Sequence, residues 1–157
     1  PWCEGFDLYR QYHDTEWGVP LHDDRALFEL LILEGAQAGL SWSTVLKKRE
    51  HYRLVFNGFS PECIARYDDR KVAELMSEHS VVGNHAKVAA IMQTAEVFLA
   101  ITAEGQKFSD FLWRFVDGKP IQNAWKSMAD VPSKTVCSDA MSNELARAVF
   151  KFVCSTI

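Results

Sequence analysis

Glu34 is the residue whose placement most demands a chemical explanation. It follows Leu27, Leu30 and Leu31 by seven, four and three positions, so on a helix it shares their apolar face. A carboxylate there either reaches water at the edge of the stripe or is buried and needs a partner. As a functional group it would face a pocket, held ionised by a bound cation or by hydrogen-bond donors. Gly35 and Gly39 lie one helical turn apart beside it, where a ligand or a second backbone can approach closely. Trp42, eight positions on, can wall the same pocket.

Aromatic residues crowd the same part of the chain. Five of the nine Trp and Tyr residues, namely Trp2, Tyr9, Tyr12, Trp17 and Trp42, fall within the first 42 positions. Tyr9 and Tyr12 share a face if Leu8–Tyr12 is helical. Such a cluster can be plain core. Beside a carboxylate it also suits a flat, electron-poor ring, by stacking and cation–π attraction. A cationic heteroaromatic ligand satisfies both halves of that description.

The remaining reactive side chains say less. His13, followed by Asp14, is ten positions after Cys3, a spacing compatible with half a zinc site but lacking two ligands. Cys3, Cys63, Cys137 and Cys154 form no C-x-x-C pair and read as free thiols of a reducing compartment, hence a cytoplasmic protein. Lys47-Lys48-Arg49 and the His85/Lys87 pair read as solvated helix faces, with phosphate contact as the alternative. The chain contains no phosphate-binding glycine loop, G-x-S-x-G elbow or H-E-x-x-H.

The elements that must position these groups are helical. Asp23 and Asp24 cap a helix ending near Gly35 or Gly39, and Ser41 caps a second that stops at Asn57-Gly58. Ser60-Pro61 is a start signal, and Asp68 opens another helix through Val72, Leu75 and Met76. Gly83 precedes a long run with Val88, Ile91, Ala95, Phe98 and Leu99 on one face. Phe108 to Val116 reads as a short helix closed by the turn Asp117-Gly118-Lys119-Pro120. Residues 121–136 are irregular, and Ser138 or Asp139 starts a last helix to about Ala148. No segment of five or more alternates at period two, so the expected class is all-α, without repeats or linkers.

The 157 residues suit one domain, with a core well within reach. A net charge of −4 gives no basic footprint for bulk nucleic-acid binding. Glu29 and Glu34 interrupt the apolar run near Leu27–Leu33, so no membrane span is expected. The chain opens without a charged-then-apolar leader and stops within an apolar run, which reads as a cut.

Three segments together resemble one family. Tyr12-His13-Asp14-Thr15-Glu16-Trp17-Gly18, Leu33-Glu34-Gly35-Ala36-Gln37-Ala38-Gly39-Leu40-Ser41-Trp42 and Leu46-Lys47-Lys48-Arg49-Glu50 look like 3-methyladenine DNA glycosylase I. Phe111-Leu112-Trp113 and Phe150-Lys151-Phe152-Val153 fit it too, and the similarity runs over essentially the whole chain. The resemblance implies an all-helical helix-hairpin-helix glycosylase domain over residues 1–157, with a hairpin near 149–154 and a zinc-tied terminal region. It also implies a monofunctional repair hydrolase that flips 3-methyladenine out of double-stranded alkylated DNA and cleaves its glycosidic bond. Glu34 matches the base-recognising glutamate and is the catalytic candidate, while Trp42, Tyr12, Tyr9, Trp2 and Trp17 match the aromatics of the base pocket. Phe150, Lys151 and Phe152 match the DNA-backbone anchor, His13 matches a zinc ligand, and the expected state is a monomer. A non-catalytic protein of this fold that binds alkylated bases or DNA is the alternative.

Two departures from the pattern stand out. The family's zinc is held by an early Cys, a His thirteen residues later, and a His and Cys near the C-terminus. Only His13 matches, Cys3 is out of register, and the expectation is a chain trimmed at both ends. Val149 and Cys154 stand where the family usually has glycine. A β-branched residue at a positive φ costs about 1–2 kcal/mol, so either the hairpin differs or DNA affinity falls.

Overall fold

In the computed structural model, residues 2–77 and 84–156 are described. The described residues contain eight α-helices and no strand: α1 (Asp7–Thr15), α2 (Asp24–Gln37), α3 (Trp42–Val55), α4 (Pro61–Ile64), α5 (Asp69–Ser77), α6 (His85–Thr102), α7 (Phe108–Trp113) and α8 (Val136–Arg147). Most starts follow the capping chemistry. Asp23 Oδ1 accepts the Ala26 N–H at 2.7 Å, Ser41 Oγ that of Thr44 at 3.2 Å, and Asp68 Oδ1 that of Lys71 at 2.8 Å. Asn84 caps α6, and Gly83, expected to precede it, lies outside the described residues. The last helix begins earlier than expected. Thr135 and Ser138 exchange side-chain and backbone hydrogen bonds in a capping box, so Ser138 is the third residue of α8 and not its cap.

The core lies where α2, α3 and α6 meet. Phe28, Ile32, Leu33 and Ala36 of α2 pack with Val45 and Tyr52 of α3, with Phe56 just after it, and with Val88, Ile91, Ala95 and Phe98 of α6. Each such large side chain contributes about 1.5–3 kcal/mol by leaving water. By length and composition α6, extended to Gly105, is apolar enough to cross a membrane, a property it shares with helices packed into a core. Its face at Val88, Ile91, Ala95 and Phe98 belongs to this core.

Burial also changes which face of α2 is which. The buried stripe is Phe28, Ile32, Leu33 and Ala36, whereas Leu27, Leu30, Leu31 and Glu34 are half-buried beside it. A helix apolar nearly all round carries more than one hydrophobic face. The stripe that flagged Glu34 is therefore a cavity wall and not the centre of the core.

Candidate base-recognition site

α1, α2 and α3 each bring one principal group. Tyr12 is the buried residue of α1, Glu34 stands in the penultimate turn of α2, and Trp42 is the first residue of α3. The bend that joins Glu34 to Trp42 depends on Gly39, whose φ of +80° favours glycine. Lys87 fixes its other side. Its Nζ donates to the carbonyls of Ala36 at 3.0 Å and Ala38 at 2.7 Å, capping the C-terminal end of α2 with a cation. Lys87 is thus not a solvated face, and with partners some fifty residues away no local signal could reveal it.

The Tyr12 and Trp42 rings lie 5.4 Å apart, tilted at 56°. The Trp42 indole N–H is enclosed without a well-oriented hydrogen-bond acceptor, and of the neighbours acting on the Tyr12 hydroxyl it is the weakest. Burial, then the carboxylates of Glu34 and Glu16, push the Tyr12 phenol up to about 12, so it remains a proton donor. Burial alone raises the Glu34 carboxyl to about 7. Glu34 therefore sits at the midpoint of its titration near neutral pH, and a cation brought against it would draw out the ionised form.

Glu34 borders a cavity of about 210 Å³ whose walls are largely aliphatic, with Leu30, Leu31, Leu112, Met141 and Leu145 among them. Tyr12 borders a second cavity of about 170 Å³ with Glu16 and Arg49, and Leu30 lines both.

The other aromatics form a second group along α1. Trp2 meets Tyr9 at 5.1 Å, His13 at 5.1 Å and Trp17 at 5.3 Å, each edge to face, and His13 stacks on Trp17 at 5.5 Å. Trp17 is 56% exposed and Trp2 37%, so this group is an open aromatic surface and not core. The structure thus splits the expected wall in two: Tyr12 paired with Trp42, its phenol feeling the Glu34 charge, and Trp2, Tyr9 and Trp17 around His13.

The turn after α8 carries the remaining candidates. Val149 adopts φ +72° and Phe152 φ +58°, so Val149 keeps a glycine-like backbone without being glycine, while Cys154 shows no positive φ. Phe150 is 2% exposed and packs on Phe108 at 5.9 Å, so its side chain serves the core. Lys151 is exposed, and Phe152 lies over Gly35, where an added Cβ would sit 3.6 Å from the phenylalanine Cβ.

Sequence reasoning missed an ion network. Arg49 Nε donates to Glu29 Oε1 at 2.6 Å and Arg49 Nη1 to Glu16 Oε2 at 2.7 Å, while Arg53 Nη2 also reaches Glu29 at 2.7 Å. Lys47 stands 4.4 Å over the Phe6 ring. Arg49 is thus engaged, contrary to the expected solvated face, whereas Lys47 stays exposed as expected. The available signal was the seven-residue spacing from Trp42 to Arg49, which puts both on one side of α3.

A half-buried carboxylate raised toward neutral pH acts on the phenol of Tyr12, which packs beside the Trp42 indole, on an all-helical scaffold. A family model described as methyladenine glycosylase matches residues 2–157. DNA-3-methyladenine glycosylase 1 of Escherichia coli is 42% identical over 156 residues, covering 99% of this chain and 83% of the relative. A crystal structure of 3-methyladenine DNA glycosylase I superimposes with TM-score 0.95 at 44% identity, over 99% of this chain and 85% of that one. A single-residue variant of 3-methyladenine DNA glycosylase I, solved in complex with 3-methyladenine, matches with TM-score 0.90 at 38% identity, covering 97% and 82%. Fold and relatives define the class as a DNA-repair N-glycosylase. Within it, the chain belongs to the methyladenine glycosylase family.

Proposed function

We propose that Glu34, Tyr12 and Trp42 form the pocket that selects 3-methyladenine flipped out of double-stranded alkylated DNA. Methylation at N3 leaves the base cationic within the strand, so it departs as a neutral molecule when the bond from its N9 to the sugar breaks. The bonding pair goes to the base, a water oxygen bonds to the sugar carbon, and the water proton is released. Such a leaving group needs selection and positioning more than a strong acid. Flipping is required because the bond is shielded inside the duplex.

The observation that carries this reading is the Glu34 carboxyl, raised to about 7 by burial, whose charge acts on the phenol of Tyr12, the ring that packs on Trp42. Ionised, it accepts hydrogen bonds from the adenine edge and complements the positive ring; the rings of Trp42 and Tyr12 supply stacking faces. Trp2, Tyr9 and Trp17 flank the entrance. Lys151 and the backbone of Phe150 and Phe152 meet the phosphates through a helix-hairpin-helix turn, a route left to Phe150 by its buried side chain. The protein acts as a cytoplasmic monomer and one domain.

The metal part of the reading rests on His13. Among the described residues no three His, Cys, Asp or Glu side chains gather as a metal group. His13 Nδ1 meets Asp14 Oδ1 at 2.8 Å. The described residues do not make a zinc site by themselves, and none of the chemistry above passes through one. A structural zinc held by His13 would take its other ligands from outside these residues.

The deciding experiment is release of 3-methyladenine from methylated duplex DNA. The chain is expected to release the base, and Glu34→Ala to lower the rate at least about a hundredfold. Undiminished release by a folded Glu34→Ala protein removes Glu34 from the site.

A further inference from the structure

Tyr12, Glu34 and Trp42 are carried by three separate helices, and one side chain ties those helices together. Arg49, on α3, donates from Nε to Glu29 of α2 and from Nη1 to Glu16 at the C-terminal end of α1. The spacing is systematic. Glu16 follows Tyr12 by four residues, Arg49 follows Trp42 by seven, and Glu29 precedes Glu34 by five. The ion network thus lies one to two turns from the pocket along each helix. Arg49 also lines the cavity that Tyr12 borders.

α1 needs such a tie. Nine residues are too few for a stable isolated helix. Its N-cap residue Phe6 offers no side-chain hydrogen bond, and Tyr12 is its buried residue. Glu16, in the non-helical cap position, is the carboxylate that Arg49 holds.

Net stability is a poor account of the arrangement. Arg49 is 19% exposed and Glu29 13%, so both ions are largely removed from water. Desolvation offsets most of the attraction in such pairs, and what they supply is a fixed geometry. The guanidinium fork defines two directions at once, which a lysine cannot do.

We infer that Arg49 is a positioning residue for base recognition: by clamping Glu16 and Glu29 it fixes where the Tyr12 hydroxyl of α1 stands relative to Glu34 and Trp42. The inference rests on the pocket proposed above. It concerns ligand geometry, not the bond-breaking step.

The test is calorimetric binding of free 3-methyladenine to the wild-type chain and to Arg49→Met, Glu16→Gln, Tyr12→Phe and the Arg49→Met/Tyr12→Phe double variant, with thermal melting of each. Glu29 keeps Arg53 when Arg49 is removed, and Glu16 is at the surface, so the single variants retain the fold. Arg49→Met and Glu16→Gln are each expected to weaken binding roughly tenfold, the scale of coupling between contacting residues. In the Tyr12→Phe background the Arg49→Met effect should shrink to about twofold or less, since the residue acts through Tyr12. Unchanged affinity in folded single variants overturns the inference. So does an undiminished loss in the Tyr12→Phe background, or a loss that follows a lowered melting temperature. A wild-type chain that fails to bind 3-methyladenine overturns the pocket itself, a separate outcome.

Discussion

The titration of Glu34 links its burial to a measurable pH dependence. Its folded-state value of about 7 lies above the ordinary 4.5, so folding takes up a proton between those limits. The stability this group allows is complete below about pH 4.5 and is lost as pH rises through about 7. Glu34→Gln should therefore be more stable than wild type at pH 8 by about 3 kcal/mol, since each pH unit between the two values is worth about 1.4 kcal/mol. It should show little gain near pH 4.5, and melting curves at the two pH values check both. Activity should run the other way. The kcat/KM for methylated DNA reports the free enzyme, so it should rise with pH through about 7 as the carboxylate ionises, and this inflection should vanish in Glu34→Gln. A flat wild-type profile from two pH units below that value to two above would sink the electrostatic role. Trp42→Ala removes a ring next to Tyr12 and should weaken free 3-methyladenine by about 1–3 kcal/mol in calorimetry, the worth of a stacked base. Equal affinity would mark Trp42 as packing alone.

At the scale of elements, the turn after α8 holds a conformation that its own residue disfavours. Val149 is 44% exposed at φ +72°, so its side chain contributes little burial to offset the strain. Val149→Gly is expected to raise stability by about 1 kcal/mol. It should also tighten binding of duplex DNA if this turn presents its N–H groups to phosphate. Chemical denaturation and a DNA titration at fixed salt separate the two effects; a less stable Val149→Gly protein would show that the valine packs better than its exposure suggests. The neighbouring Phe152–Gly35 contact brings this turn against the helix that carries Glu34. The turn proposed to meet DNA and the helix proposed to select the base thus touch at Gly35.

For the whole molecule, the net charge of −4 is compatible with DNA as substrate on the proposed reading, in which selection rests on one acidic pocket and not on a basic surface. Zinc belongs to this scale too. In a chain carrying the segments that flank these residues, His13→Ala should lower both zinc content and melting temperature while leaving free-base affinity within about twofold. Metal analysis that finds no zinc in the wild-type version of that longer chain would remove the metal from the reading.

Much of this protein is written locally in its sequence. Asp23, Ser41, Ser60 and Asp68 mark their helix starts because a cap is a bond between residues three apart, and the helical period excludes a sheet. The motif around Glu34 and Trp42 identifies the family by residue type and order alone. Tertiary structure decided what depends on distant partners. It made the Leu27–Leu30–Leu31 stripe a cavity wall, since a helix apolar all round does not say which side faces the core. It buried Phe150, split the aromatic cluster in two, and turned Lys87 and Arg49 from expected solvated cations into the ties of α2 and α1. Burial and ion pairing are set by segments that meet only after folding. The sequence could therefore flag Glu34, and only the fold could bury it enough to raise its pKa to about 7.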